Sequence, residues 1–302
     1  MINPQYQKQV ALLLRILTHV AKEKNLALHG GSAINLFFHE MPRLSVDIDL
    51  TYLNINSRED DLNQINSALS RLKVQLQHTI PGIKVKGPGM ESEEFKLFCS
   101  VGRTMVKIEV NTINRGIDGL VQLLPLCETA QKEFNMFCEM QIVPLGQLYG
   151  GKIVASLDRQ HPRDLFDIRA MLNNYGYSDN IHLGFIFCLL SSKRPFHELL
   201  QPARIDQHKV LESQFSGMTD EVFTYELFEE TREILIQQVN NHLSASDKSL
   251  LMSFATGEPE WPDVDYSVFP GIRWKLMNIR RFEELNKIKF KQQIKLLEKV
   301  LF

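Results

Sequence analysis

The chain has 302 residues, 44% apolar and 23% charged, with a net charge of −2. That is the make-up of a globular protein able to bury a core, and it excludes a disordered or collagen-like chain. Cys99, Cys127, Cys138 and Cys188 form no Cys-x-x-Cys pair, which excludes a zinc ribbon or redox dithiol and points to buried thiols in a reducing cytoplasm.

The opening MINPQYQKQV lacks a signal-peptide pattern, and the best apolar run, residues 185–190, is too short to cross a bilayer. A cytoplasmic protein without a membrane partner is expected. Residues 5–24 carry apolar side chains at helical spacing and predict an opening helix. Leu26 to Leu28 reads as a short strand, Gly30-Gly31-Ser32 as a turn, and Ala33 to Phe38 as a helix. From Ser45 to Tyr52 polar and apolar residues alternate, so Asp47 and Asp49 project from one face of a strand while Ile48 and Leu50 face the other way.

A polar helix is expected over 60–76, then strands at 83–86, 94–101 and 104–111, a Gly87-Pro88-Gly89 turn, and a further strand within 134–143. This predicts a small mixed sheet. Residues 145–157 read as a helix, and Pro162 opens another. Helices follow near 163–174, 180–191, 220–242, 247–255 and 272–301, so an α/β domain over 1–160 and a helical domain over 161–302 are expected. Residues 272–302 hold nine Lys/Arg against three Glu, a segment charge of +6 that leaves −8 elsewhere. Such a basic end suits a polyanion, or equally a solvated helix face.

Three features stand in order: Gly31-Ser32, then Asp47-x-Asp49, then Glu109 on the alternating run Val106 to Val110. Singly, each is ordinary surface chemistry. Together, two carboxylates on one strand face and a third from a neighbouring strand can hold hard divalent cations for phosphoryl transfer. A glycine turn lets backbone amides come close to phosphates, and the Ser32 hydroxyl can add a hydrogen bond. Lys152, Ser156 and Arg159 are spaced to line one helix face, with Arg163 and Asp164 in the first turn of the next helix. For the arginines a structural ion-pair cluster is the favoured reading; for Lys152 it is catalysis. His19, His29 and His39 lack zinc-pair spacing, and Trp261 and Trp274 are expected as core or interface aromatics.

Gly31-Ser32 followed by Arg43-Leu44-Ser45-Val46-Asp47-Ile48-Asp49-Leu50 resembles the first motif of the DNA polymerase β nucleotidyltransferase superfamily. The run from Lys152 through Ser156, Arg159, Arg163 and Asp164 to Asp167, and later Pro270-Gly271-Ile272-Arg273-Trp274-Lys275, resembles the AbiEii/AbiGii-type nucleotidyltransferase toxins. The resemblance implies a polymerase β-like domain followed by a helical domain. It implies a toxin–antitoxin or phage-defence effector that uses Mg2+ or Mn2+ to add nucleotides from NTP to the 3′ end of tRNA and so blocks translation.

By position it implies Asp47 and Asp49 as metal ligands, with Glu109 a third, and Gly31, Ser32, Ser45 and Lys152 at the nucleotide. Asp164 and Asp167 match essential acids, and Ser45 matches a serine modified in some relatives. A cognate antitoxin is implied as partner. Arg280, Arg281, Lys287, Lys289 and Lys291 are expected to hold the acceptor stem. The same site could instead modify a protein hydroxyl, and a non-catalytic partner-binding module is the remaining alternative.

Overall fold

A computed structural model describes residues 2–87, 95–262 and 264–302. Most of the expected Gly87-Pro88-Gly89 turn, and the strand start at Glu94, lie outside the described residues. The chain divides into two compact units, Met1–Pro144 with Phe215–Val222, and Leu145–Gln214 with Phe223–Phe302.

The first unit opens with α1 (Pro4–Val20), whose first turn is capped by the Asn3 side chain accepting from the Gln5 amide. Its apolar stripe from Val10 to Val20 is buried. Next come β1 (Leu26–His29), a short α2 (Gly30–Ala33) that widens into a π-helical turn over Ile34–Phe38, and β2 (Asp47–Tyr52). After α3 (Arg58–Thr79) follow β3 (Lys84–Lys86), β4 (Lys96–Val101), β5 (Thr104–Asn111), β6 (Gln122–Pro125), α4 (Glu128–Phe134) and β7 (Glu139–Ile142). Together the strands make a mixed seven-stranded sheet in the order β3-β4-β5-β2-β1-β7-β6. At its centre, β2 runs antiparallel to β1 and parallel to β5.

The expected mixed sheet is present and larger than expected. The strand read into 134–143 is shorter: Glu128–Phe134 is helix, ended by Asn135 in the left-handed region, and the strand begins at Glu139. Alternation sorts the sheet faces. Ile48, Leu50, Val106, Ile108 and Val110 are buried, while Asp47, Asp49, Lys107 and Glu109 between them are half-exposed on the other side. Asp61, wholly buried near the start of α3, accepts from the Arg115 Nε at 2.8 Å and from the Asn56 backbone and side chain. A carboxylate this deep persists only when so satisfied.

The second unit comprises α5 (Leu145–Arg159), α6 (Pro162–Tyr175), α7 (Asp179–Leu190), α8 (Phe196–Leu200), α9 (His208–Val210), α10 (Tyr225–His242), α11 (Ala245–Ala255), α12 (Pro270–Leu285) and α13 (Lys287–Leu301). The single helix expected over 272–301 is two, because Asn286 stops α12 and its side chain caps α13 by accepting from the Lys289 amide. The expected boundary at residue 160 differs from the observed division at Pro144. The reason is the seam between α5 and α7, where a Cβ on Gly150 would lie 2.1 Å from the Gly184 carbonyl oxygen and one on Gly184 would lie 2.0 Å from that of Gly146.

Backbones this close exclude any side chain, so Gly184→Ala must force the helices apart. The expected cost is about 3 kcal/mol, or a fall of roughly 6–12 °C in unfolding midpoint. An unchanged midpoint by calorimetry would show that the seam can part without loss.

Candidate active site

Two aspartates stand on the half-exposed face of β2 and are footed by the turn after β1. Gly30 adopts φ +73°, and a Cβ there would lie 3.0 Å from the Asp49 Oδ2. A side chain at this position would therefore be strained and would press on the carboxylate. A Cβ on Gly31 would lie 2.7 Å from an Arg43 guanidinium nitrogen and 3.0 Å from the Ser45 Oγ. Gly30 and the buried Arg43 were not among the expected site residues. The paired glycines were visible in the sequence, but their tight packing against β2 and its approach was not.

Ser32 is buried, and its hydroxyl lies 2.5 Å from the Asp47 carbonyl oxygen and 3.1 Å from the Ser45 Oγ. Those contacts fasten the turn to the start of β2 and bring Gly31, Ser32, Ser45, Asp47 and Asp49 together. Asn35 Nδ2 adds a bond to the Gly31 carbonyl.

Glu109 lies where the sequence placed it, on the same face and directly across from Asp49, while Lys107 lies directly across from Asp47. Lys96 follows on β4, across from Glu109. The two Glu109 oxygens are taken by Lys96 Nζ at 2.9 Å and Lys107 Nζ at 2.8 Å. Partial burial opposes the charge on Glu109, but the two ammoniums outweigh it and hold its pKa below the ordinary value. Lys107 is the mirror case: burial works against its charge, yet the Glu109 hydrogen bond and the fields of Glu109, Asp47 and Asp49 raise its pKa.

Among the described residues no group of three or more His, Cys, Asp or Glu side chains is placed to hold a metal ion. Asp47 and Asp49 nonetheless fit a hard divalent cation. They offer carboxylate oxygens at i and i+2 on one accessible strand face, beside a turn whose glycines allow its close approach to Asp49. A Mg2+ ion is commonly held by one or two carboxylates, with water and substrate phosphate completing its shell.

In the second unit, Lys152 on α5 is buried with its ammonium 2.8 Å from Asp164 Oδ1 and 2.9 Å from Asp167 Oδ2 on α6. Arg159 grips Asp164 in a fork, Nε to Oδ2 at 2.6 Å and Nη2 to Oδ1 at 3.0 Å. Burial alone would raise the Asp164 pKa; Lys152 and Arg159 overcome it and hold the group well below the usual carboxylate range. Pro162 opens α6, and the His161 ring accepts from the Arg163 amide, so Asp164 is delivered in the first turn. Ser156 turns its hydroxyl to the Lys152 carbonyl.

The expected RNA-facing residues Arg280 and Arg281 lie on α12, and Lys287, Lys289 and Lys291 on α13; all five are exposed. Arg280 also donates from Nε to the Gly257 carbonyl at the end of α11. Trp261 packs edge-on against Phe254 and Tyr266. The expectation for Trp274 requires correction: it is 55% exposed, since the buried side of α12 is formed by Ile272 and Leu276.

The mixed sheet displays an Asp-x-Asp strand beside a glycine turn, the arrangement expected of a nucleotidyltransferase. The sequence model of the nucleotidyl transferase AbiEii toxin family, type IV toxin–antitoxin system, matches residues 11–278, and the chain belongs to that family. It is a nucleotidyltransferase toxin, and membership implies an NTP substrate and a cognate antitoxin. MenT4, a nucleotidyltransferase toxin from Mycobacterium tuberculosis H37Rv, shares the fold. It superposes with a TM-score of 0.62 at 12% identity, over 97% of this chain and 93% of that one. A chain from H. pylori, provisionally described as a nucleotidyltransferase, superposes at 0.46 with 17% identity, over 80% of this chain and 97% of that one. No curated protein matches the chain. Among the described residues no helix is long and apolar enough to cross a membrane.

Proposed function

We propose that this toxin transfers a nucleoside monophosphate from NTP to the 3′ hydroxyl of tRNA and thereby stops translation. The observation that carries the reading is the Asp47 and Asp49 carboxylate pair, half-exposed above the glycine turn. A divalent cation, Mg2+ or Mn2+, would be held by these two side chains and would supply electrostatic stabilisation of the transferring phosphoryl group.

The acceptor hydroxyl attacks the α-phosphorus, the bond to the β-phosphate oxygen breaks, and pyrophosphate leaves while the hydroxyl proton passes to solvent. Gly30 and Gly31 let the turn pack closely against Asp49, Arg43 and Ser45, and the backbone of that turn would meet the triphosphate. Ser32, engaged with Asp47 and Ser45, contributes by fixing that turn rather than by a free hydroxyl. Lys152 meets nucleotide phosphate, with its ammonium oriented by Asp164 and Asp167. Arg280, Arg281, Lys287, Lys289 and Lys291 give the helical unit a cationic surface for RNA phosphates. Residues 1–160 as a catalytic part and 161–302 as an RNA-binding part remain our functional division.

The test is incubation with each α-labelled NTP, a divalent metal and total cellular RNA, followed by denaturing separation. Label in tRNA-sized RNA is expected. Label confined to protein would replace the reading with protein nucleotidylation, and no label with any NTP would overturn it.

A further inference from the structure

Asp49 and Glu109 are like charges placed side by side on adjacent strands, an arrangement that is destabilising unless a cation intervenes. In a site built on three carboxylates, two divalent ions would fill that role. Here both Glu109 oxygens are bound by Lys96 and Lys107, and Lys107 stands across from Asp47 on the same face.

The charges match. Three carboxylates with two divalent ions carry +1, and so do Asp47, Asp49 and Glu109 with two ammoniums and one divalent ion. A lysine fixed by the sheet register brings its charge without desolvating a second metal ion. Lys96 and Lys107 also engage both Glu109 oxygens with ammonium groups. We propose that the aspartate pair takes a single divalent cation, and that Lys107, clamped by Glu109, stands as the second positive charge of the site. Glu109 is then a positioning residue for Lys107 rather than a metal ligand. This rests on the reading of Asp47 and Asp49 as metal ligands.

The experiment counts Mn2+ bound per chain by electron paramagnetic resonance, with each of the four α,β-methylene nucleoside triphosphates present at the protein's concentration and with metal alone. The native chain is expected to saturate at one Mn2+. Glu109→Gln should still bind one, more weakly by up to about tenfold through the loss of a neighbouring negative charge, since it removes no ligand. Lys107→Met, which releases one Glu109 oxygen, is expected to bind a second ion or to tighten the first by about tenfold, as removal of a neighbouring cation requires.

Two Mn2+ on the native chain, with one lost in Glu109→Gln, would overturn the proposal and leave the aspartate reading intact. Binding that is indifferent to Asp49→Ala would instead overturn the aspartate reading itself, and this proposal with it. Circular dichroism of each variant identifies any that fails to fold. In that case Lys107→Gln and Glu109→Ala carry the same comparison.

Discussion

Asp49→Ala is expected to reduce nucleotidyl transfer by at least about a thousandfold while leaving the protein as stable as the native chain. The first part follows from the proposed role of Asp49 as one of two metal-binding carboxylates, since metal stabilisation of a transferring phosphoryl group amounts to several kcal/mol and each 1.36 kcal/mol is tenfold in rate. The second follows from position. Asp49 is half-exposed on β2, its removal opens no core cavity, and it relieves the like-charge contact with Glu109. Separation of activity from stability is therefore the signature. A variant that kept a tenth of native activity would contradict the assignment, and one that unfolded would show that Asp49 supports the sheet.

Lys152→Met is expected to behave in the opposite way, with a stability loss of about 3–5 kcal/mol. Its ammonium sits between two buried carboxylates, and removing one partner of such a cluster strands charge in a poorly polarisable interior. Acid dependence supplies a second readout. Asp164 titrates below its ordinary value in the folded chain, so its ion pairing stabilises the protein above the unfolded-state pKa, about 3.9. That contribution fades as pH falls below about 4 toward the folded-state value.

Denaturant unfolding at pH 7 should thus show the full difference between native and variant, with a smaller difference under acid. A change below about 1 kcal/mol at pH 7 would mean that the cluster is not held as tightly as its geometry indicates. Transfer assayed at low temperature and scaled to the folded fraction then separates the roles. Loss beyond the folded fraction supports contact with nucleotide phosphate, whereas recovery to native levels assigns Lys152 to structure alone.

Local patterns were legible in the sequence and distant ones were not. The alternation over Asp47 to Tyr52 placed both aspartates on one face because strand periodicity depends on neighbours alone. Pro162 marked the start of α6 for the same reason. By contrast, β6 escaped notice: it is an edge strand with Leu123 62% exposed and Pro125 at its end, so it carries no inward-outward alternation. Asn286 lies inside a helical spacing of apolar residues, Ile279, Phe282, Leu285 and Ile288, that continues across it, which hid the break between α12 and α13. The α5–α7 seam depends on glycines more than thirty residues apart meeting backbone to backbone.

At the site, Glu109 was found from its strand pattern. The pairing of its oxygens with Lys96 and Lys107 followed only from register across three strands. Likewise the fork of Arg159 on Asp164 was anticipated as an ion pair, while the burial of Lys152 between Asp164 and Asp167 needed the helices to be packed.

The most direct measurement of the central claim compares tRNA with an intact 3′ end against tRNA whose terminal diol has been oxidised by periodate. Both are incubated with the native toxin, divalent metal and α-labelled NTP. The account predicts label on intact tRNA and none on the oxidised form, because the attacking hydroxyl has been removed. Equal labelling of both, or label carried by the protein in either reaction, would contradict transfer to the 3′ end of tRNA.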